Sequence, residues 1–184
     1  LPPYTTDILG LSFEKGGTSV LADGFLVNGE LREHEEDFCF SFGTFLQLAD
    51  DIQDIVNDMK DGHMTIFSHN TAHYPYFPLD ALANKLFHYI TRIVNTHLES
   101  PHLLPLKWLM LKSFYLHIIE AVGKNREYYS VEYIDMLEKH FPVRFAYLRQ
   151  LRNRLTKILA RLRDKTITPD ITSTFLMALT SRVY

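Results

Sequence analysis

Asp50, Asp54 and Asp58 recur at every fourth position, with no basic residue between them. On a helix that spacing stacks their carboxylates one turn apart on one face. Like charges so placed repel, and aspartate is a poor residue for a helix interior. A solvated face ordinarily mixes signs, and a lone Asp-x-x-x-Asp would read as an acidic surface patch. A row of three gives up local stability, as functional sites do. Magnesium resolves the repulsion, since it takes oxygen ligands and keeps several waters. It is usually held by one or two carboxylates together with substrate phosphates.

The element that must carry these residues is a predicted helix from about Leu31 to Lys60, stopped by Asp61-Gly62. At about 100° per residue, Glu36, Phe40, Gly43 and Gln47 share the aspartate face, with Asp51 at its edge. Phe38, Phe42, Phe45, Ala49, Ile52 and Val56 form the opposite stripe, spaced 4-3-4-3-4, and read as a packing seam.

Helical periodicity dominates the rest of the chain, and no run alternates convincingly as a strand. A first helix is expected from Leu9 to Val27, loosened by Gly16, Gly17 and Gly24. The proline-containing polar segment from His63 to Pro78 reads as a loop. Further helices are expected from Leu79 to Glu99, from Pro105 to Val122, from Ser130 as N-cap to His140, from Pro142 to Lys165, and from Pro169 to Val183. The expectation is an all-α helical bundle, with residues 1–184 as a single domain.

At 184 residues a domain buries roughly 70% of its unfolded surface. Hydrophobic residues at 46% and charged residues at 22% are ordinary for a soluble globular protein. A net charge of −3 argues against nucleic acid as a partner. One cysteine, Cys39, fits a reducing compartment. No basic-then-apolar leader opens the chain, and Leu103 to Val122 is interrupted by Lys107, Lys112, His117 and Glu120. A cytoplasmic location is the expectation.

Gly43-x-x-x-Gln47-x-x-Asp50-Asp51-x-x-Asp54, with Asp58 beyond it, resembles the second aspartate-rich motif of the trans-prenyltransferases, in the class I isoprenoid (terpenoid) synthase superfamily. Lys15-Gly16-Gly17 resembles the Lys-Thr-Gly that opens an earlier helix of that family, and Gly62-His63 sits where Gly-Lys is usual. The resemblance spans about Leu9 to Ser68. It implies a magnesium-dependent enzyme that ionises an allylic prenyl diphosphate for condensation or cyclisation. Asp50 and Asp54 would hold Mg2+, with Asp51 and Asp58 contributing from the outer shell or through water. Gln47 would orient diphosphate or the aspartates, and Lys15 would neutralise diphosphate oxygens. Phe40 would line the isoprenoid pocket or serve as an ordinary core residue. The family also implies a homodimer.

Three features depart from the family pattern. No earlier aspartate-rich motif is present; Glu33, Glu35, Glu36 and Asp37 begin the same helix as Asp50 and read as acids at a helix N-terminus. With Leu1 rather than methionine first, the expectation is a fold incomplete at its N-terminus, continued upstream in a longer parent chain. Gly16 stands for the usual Thr, on a shorter connection to Gly43. His63 stands for a lysine, which makes any diphosphate contact there pH-dependent. These changes point to a divergent branch.

Two other readings stand beside this one. A noncatalytic helical partner could keep the fold and modulate an active synthase. Alternatively, the basic amphipathic helix 142–165, with Arg144, Arg149, Arg152, Arg154, Lys157, Arg161, Arg163 and Lys165, could lead a peripheral membrane or interaction module. His63, His69 and His73 read as loop histidines rather than zinc ligands. Trp108, Tyr128 and Tyr129 read as core or interface aromatics.

Overall fold

Capping chemistry sets several of the helix boundaries. The computed structural model describes residues 6–162, and no strand occurs among them. Asp7 opens α1 (Ile8–Asn28) by accepting from the Gly10 N–H at 2.9 Å. Gly29, at φ 77°, ends it. α2 (Glu33–Gln53) starts on an acidic first turn, favoured by the helix dipole. α3 (Ile55–Asp61) stops at Gly62 in the left-handed conformation. Thr65 and Ser68 form a reciprocal cap for α4 (Ile66–His73). α5 (Asp80–His97) and α6 (Leu104–Lys124) come next, the latter with Pro105 in its first turn. The Ser130 hydroxyl accepts from the Tyr133 N–H to start α7 (Val131–Glu138). α8 spans Phe145–Leu162.

The chain divides after Phe145 into two units. In the first, α2 is central, with α1 along one side and α5 and α6 on the other. Phe45, Ile52, Ile55, Ile90, Val94, Ile118 and Val122 form the fully enclosed core. Phe45 meets Phe114 edge-on at 5.0 Å, and Phe42 meets the same ring at 5.4 Å. α1 and α2 form an antiparallel hairpin whose backbones touch where Gly16 meets Gly43; a Cβ on either glycine would collide with the other's carbonyl. Phe40 lays its ring over Gly17 in the same crossing. Beyond Phe145, α8 carries no acidic residue along its length.

The all-helical expectation holds, and several local expectations are corrected. The predicted helix 31–60 breaks at Asp54, whose φ −106° and ψ 18° are not helical. The break rotates the next turn: Ile55 becomes fully buried, while Val56, assigned to the packing seam, is 45% exposed. The segment 63–78 is not all loop, because its capping pair Thr65–Ser68 starts α4, and His69 and His73 stack on that helix at 4.2 Å. Trp108 is 61% exposed, which removes the core half of its expected core-or-interface role. The expected helix from Pro169 to Val183 lies outside the described residues. No helix among the described residues is long and apolar enough to cross a membrane.

Candidate functional site

The aspartates lie where α2 gives way to α3. The Asp54 N–H donates to the Asp50 carbonyl at 3.0 Å, and the Asp58 N–H to the Asp54 carbonyl at 2.8 Å. Two i+4 bonds therefore span the break, and the backbones of the three aspartates stay about one turn apart.

The break has an identifiable cause. Asn125, buried at the C-terminal end of α6, donates its side-chain amide to the carbonyls of Ile52 (2.9 Å), Gln53 (3.1 Å) and Ala121 (3.2 Å). A side chain inserted into the hydrogen-bond ladder is a standard origin of helix kinks. Beside it, Lys124 places its ammonium 3.1 Å from an Asp54 carboxylate oxygen. Sequence reasoning misses both residues, and no local signal could find them, since α6 is brought to the aspartates only by folding.

Asp51 faces inward rather than along the edge of an open face. It is buried, and its two oxygens accept from Gln47 Nε2 at 2.7 Å and from the Ser12 hydroxyl at 3.2 Å. Burial pushes its carboxyl above the usual carboxylate range. The Gln47 and Ser12 hydrogen bonds oppose that shift, and the charges of Asp58 and Asp50 reinforce it. Gln47 thus holds one Asp51 oxygen through its side-chain amide.

Asp50 is exposed. The Asp54 side chain is 39% exposed and that of Asp58 is 15% exposed. Burial first, then the Asp54 charge, pushes the Asp58 carboxyl upward; His63, 3.7 Å away, pulls it down, and Asp50 adds a further upward push. The Asp58 carboxyl therefore senses the charges of Asp54 and Asp50. His63 turns toward Asp58, with its backbone N–H donating to the Asp58 carbonyl at 2.8 Å.

Lys15 is exposed on α1, one turn along from Ser12. The antiparallel register, Ser12 against Asp51 and Gly16 against Gly43 and Gln47, brings it beside the Gln47–Asp51 turn. Phe40 is taken up by the α1–α2 crossing. Gly43 serves that crossing as well, so part of the aspartate face is a packing surface.

Among the described residues, no group of three or more His, Cys, Asp and Glu side chains stands in metal-holding geometry. The donor set does not form a protein-only cage. It fits the looser mode of magnesium, in which one or two carboxylates share the ion with waters and phosphate. Asp50 and Asp54 are the more accessible carboxylates, and Lys124 already pairs with Asp54.

No family model, no curated protein and no solved structure matches this chain.

Proposed function

We propose that the α2–α3 junction binds a diphosphate through magnesium, and that the chain belongs to an isoprenoid-synthase-type fold acting on allylic prenyl diphosphates. The observation that carries the reading is the row of interacting carboxylates at Asp50, Asp54 and Asp58, backed by buried Asp51 and flanked by Lys15 and Lys124. Asp50 and Asp54 are the metal-binding residues, with Asp58 behind them. Lys124 leaves Asp54 for a diphosphate oxygen when a cation takes its place, and Lys15 neutralises oxygens from the α1 side. Asp51, fixed by Ser12 and Gln47, holds the negative field behind the junction. Bound magnesium supplies charge neutralisation that makes diphosphate a better leaving group.

Calorimetric titration of pyrophosphate and of farnesyl diphosphate, with and without magnesium, tests this reading. Binding is expected to require the metal and to be lost in Asp50→Ala/Asp54→Ala. Binding that ignores both would sink it.

A second reading, a noncatalytic partner of a synthase, is favoured because no group of three or more His, Cys, Asp and Glu side chains among the described residues is placed to hold a metal ion. It predicts magnesium-dependent pyrophosphate binding without turnover of farnesyl diphosphate by the complete parent protein. Turnover would exclude it.

A further inference from the structure

A wide cavity of the first unit lies between α5, α6 and the segment after α7, away from the aspartates. It encloses about 780 Å³, within the range of small-molecule sites. Its walls are largely apolar and aromatic, from Phe87, Tyr115, Leu116, Ile119, Leu137 and Phe141. The charged groups lining it are of one sign: Lys112 from α6 and Lys139 from the end of α7, both exposed. His88 and His140 add ring nitrogens, and no acidic residue lines it among the described residues. Glu138, the nearest acid in sequence, is engaged elsewhere, accepting from the Phe145 N–H at 2.7 Å.

The apolar track continues beyond the cavity. Trp108 stands one turn before Lys112 on α6, and Leu109 two turns before Leu116, so both extend the same helix face. They are 61% and 65% exposed. An apolar slot rimmed by ammonium groups, with an exposed tryptophan one turn beyond Lys112, matches a molecule that is apolar along its length and anionic at one end.

We propose that this groove binds a single long-chain amphiphile with a phosphate or carboxylate head, its chain along α6 and its head between Lys112 and Lys139. The site is separate from the aspartate junction: Lys112 and Lys124 are twelve residues apart on α6, about 18 Å.

The test uses the full 184-residue chain and dodecyl phosphate below its micellar concentration. Trp108 is the only tryptophan, so its emission reports on that turn of α6 without ambiguity. The expected result is saturable one-to-one binding by calorimetry without magnesium, with a blue shift of Trp108 emission. Inorganic phosphate should give no response, and dodecanol should bind at least tenfold more weakly. Lys112→Glu/Lys139→Glu should weaken dodecyl phosphate at least tenfold while retaining the helical circular dichroism. Leu116→Phe, which narrows the slot without touching a charge, should weaken it as well and serves if the double variant does not fold. Asp50→Ala/Asp54→Ala should bind dodecyl phosphate normally, which separates this site from the diphosphate reading.

Four outcomes would overturn the proposal. Dodecanol binding as tightly, or indifference to charge reversal, would show that the lysines recognise no head group. A response only to anionic vesicles would make the surface a membrane contact. A concentration-dependent dimer in sedimentation that shields Trp108 and excludes the probe would identify a second copy as the occupant.

Discussion

The two sides of α2 are built on opposite rules. Toward α1, the helices touch backbone to backbone at Gly16 and Gly43, and the polar group Ser12, Gln47 and Asp51 is sealed beside that contact. Toward α5 and α6, large side chains such as Phe45, Phe114 and Ile90 hold the helices apart, and farther out α5 and α6 leave a cavity of about 780 Å³. Close approach fixes a charged group to within a hydrogen bond. Wide spacing leaves room for a ligand but positions nothing so tightly.

Adding volume separates the two sides most sharply. Gly43→Leu forces a side chain into the Gly16 carbonyl, which cannot yield because it is backbone. The expected loss lies in the exceptional range above about 4 kcal/mol or abolishes folding, read by urea denaturation. Leu116→Phe, a smaller enlargement in the α5–α6 cavity, should change stability by less than about 0.5 kcal/mol, because the space exists. Equal costs at the two sites would remove the distinction.

Between those extremes stands the junction itself. Asn125→Ala leaves the carbonyls of Ile52 and Gln53 without their buried donor, at a cost of about 2–3 kcal/mol. If Asn125 causes the break, the variant should also lose magnesium-dependent pyrophosphate binding, as α2 and α3 straighten. A destabilised variant with unchanged binding would show that the break does not shape the site.

A smaller effect, of opposite sign, is expected at Asp51. Burial raises its folded-state pKa above the unfolded value of about 3.9, so the folded chain holds that proton more tightly. Its contribution to stability is fully present below the unfolded pKa and declines as pH rises through the raised folded value. Asp58 acts in the same direction. Asp51→Asn should flatten the decline and raise Tm at pH 7 by roughly 2–4 °C, the equivalent of about 1 kcal/mol in a domain of this size. A lower Tm at pH 7 would mean that the Gln47 and Ser12 hydrogen bonds outweigh the cost of burying the charge.

A local effect of similar size concerns a helix end. Ser130→Ala removes the cap of α7 and the hydroxyl contact to Asp80, at a cost of about 1 kcal/mol by thermal melting.

Much of this molecule is legible in its residues one after another. The Ser130 cap, the Pro105 start, the Gly62 stop and the Phe38–Ile52 seam are local signals, and the structure honours them. α4 is hidden because Tyr74 to Pro78 reads so strongly as loop that the Thr65–Ser68 capping pair before it carries too little weight. Periodicity misplaces Val56 because it assumes an unbroken helix. It puts Gly43 and Gln47 on the aspartate face correctly, yet angle alone cannot tell an open face from one covered by another helix.

The sequence by itself determined that the chain is helical, where most of its helices begin, and that three carboxylates would recur one turn apart, because those properties depend on neighbours within four residues. Only the tertiary structure decided which carboxylate is buried, where α2 breaks and which cation meets Asp54. Those outcomes depend on Ser12, Lys124 and Asn125, residues 39, 70 and 72 or 73 positions from their partners. Burial and hydrogen bonding act through space, and no pattern of adjacent residues encodes a distance that the fold has yet to create.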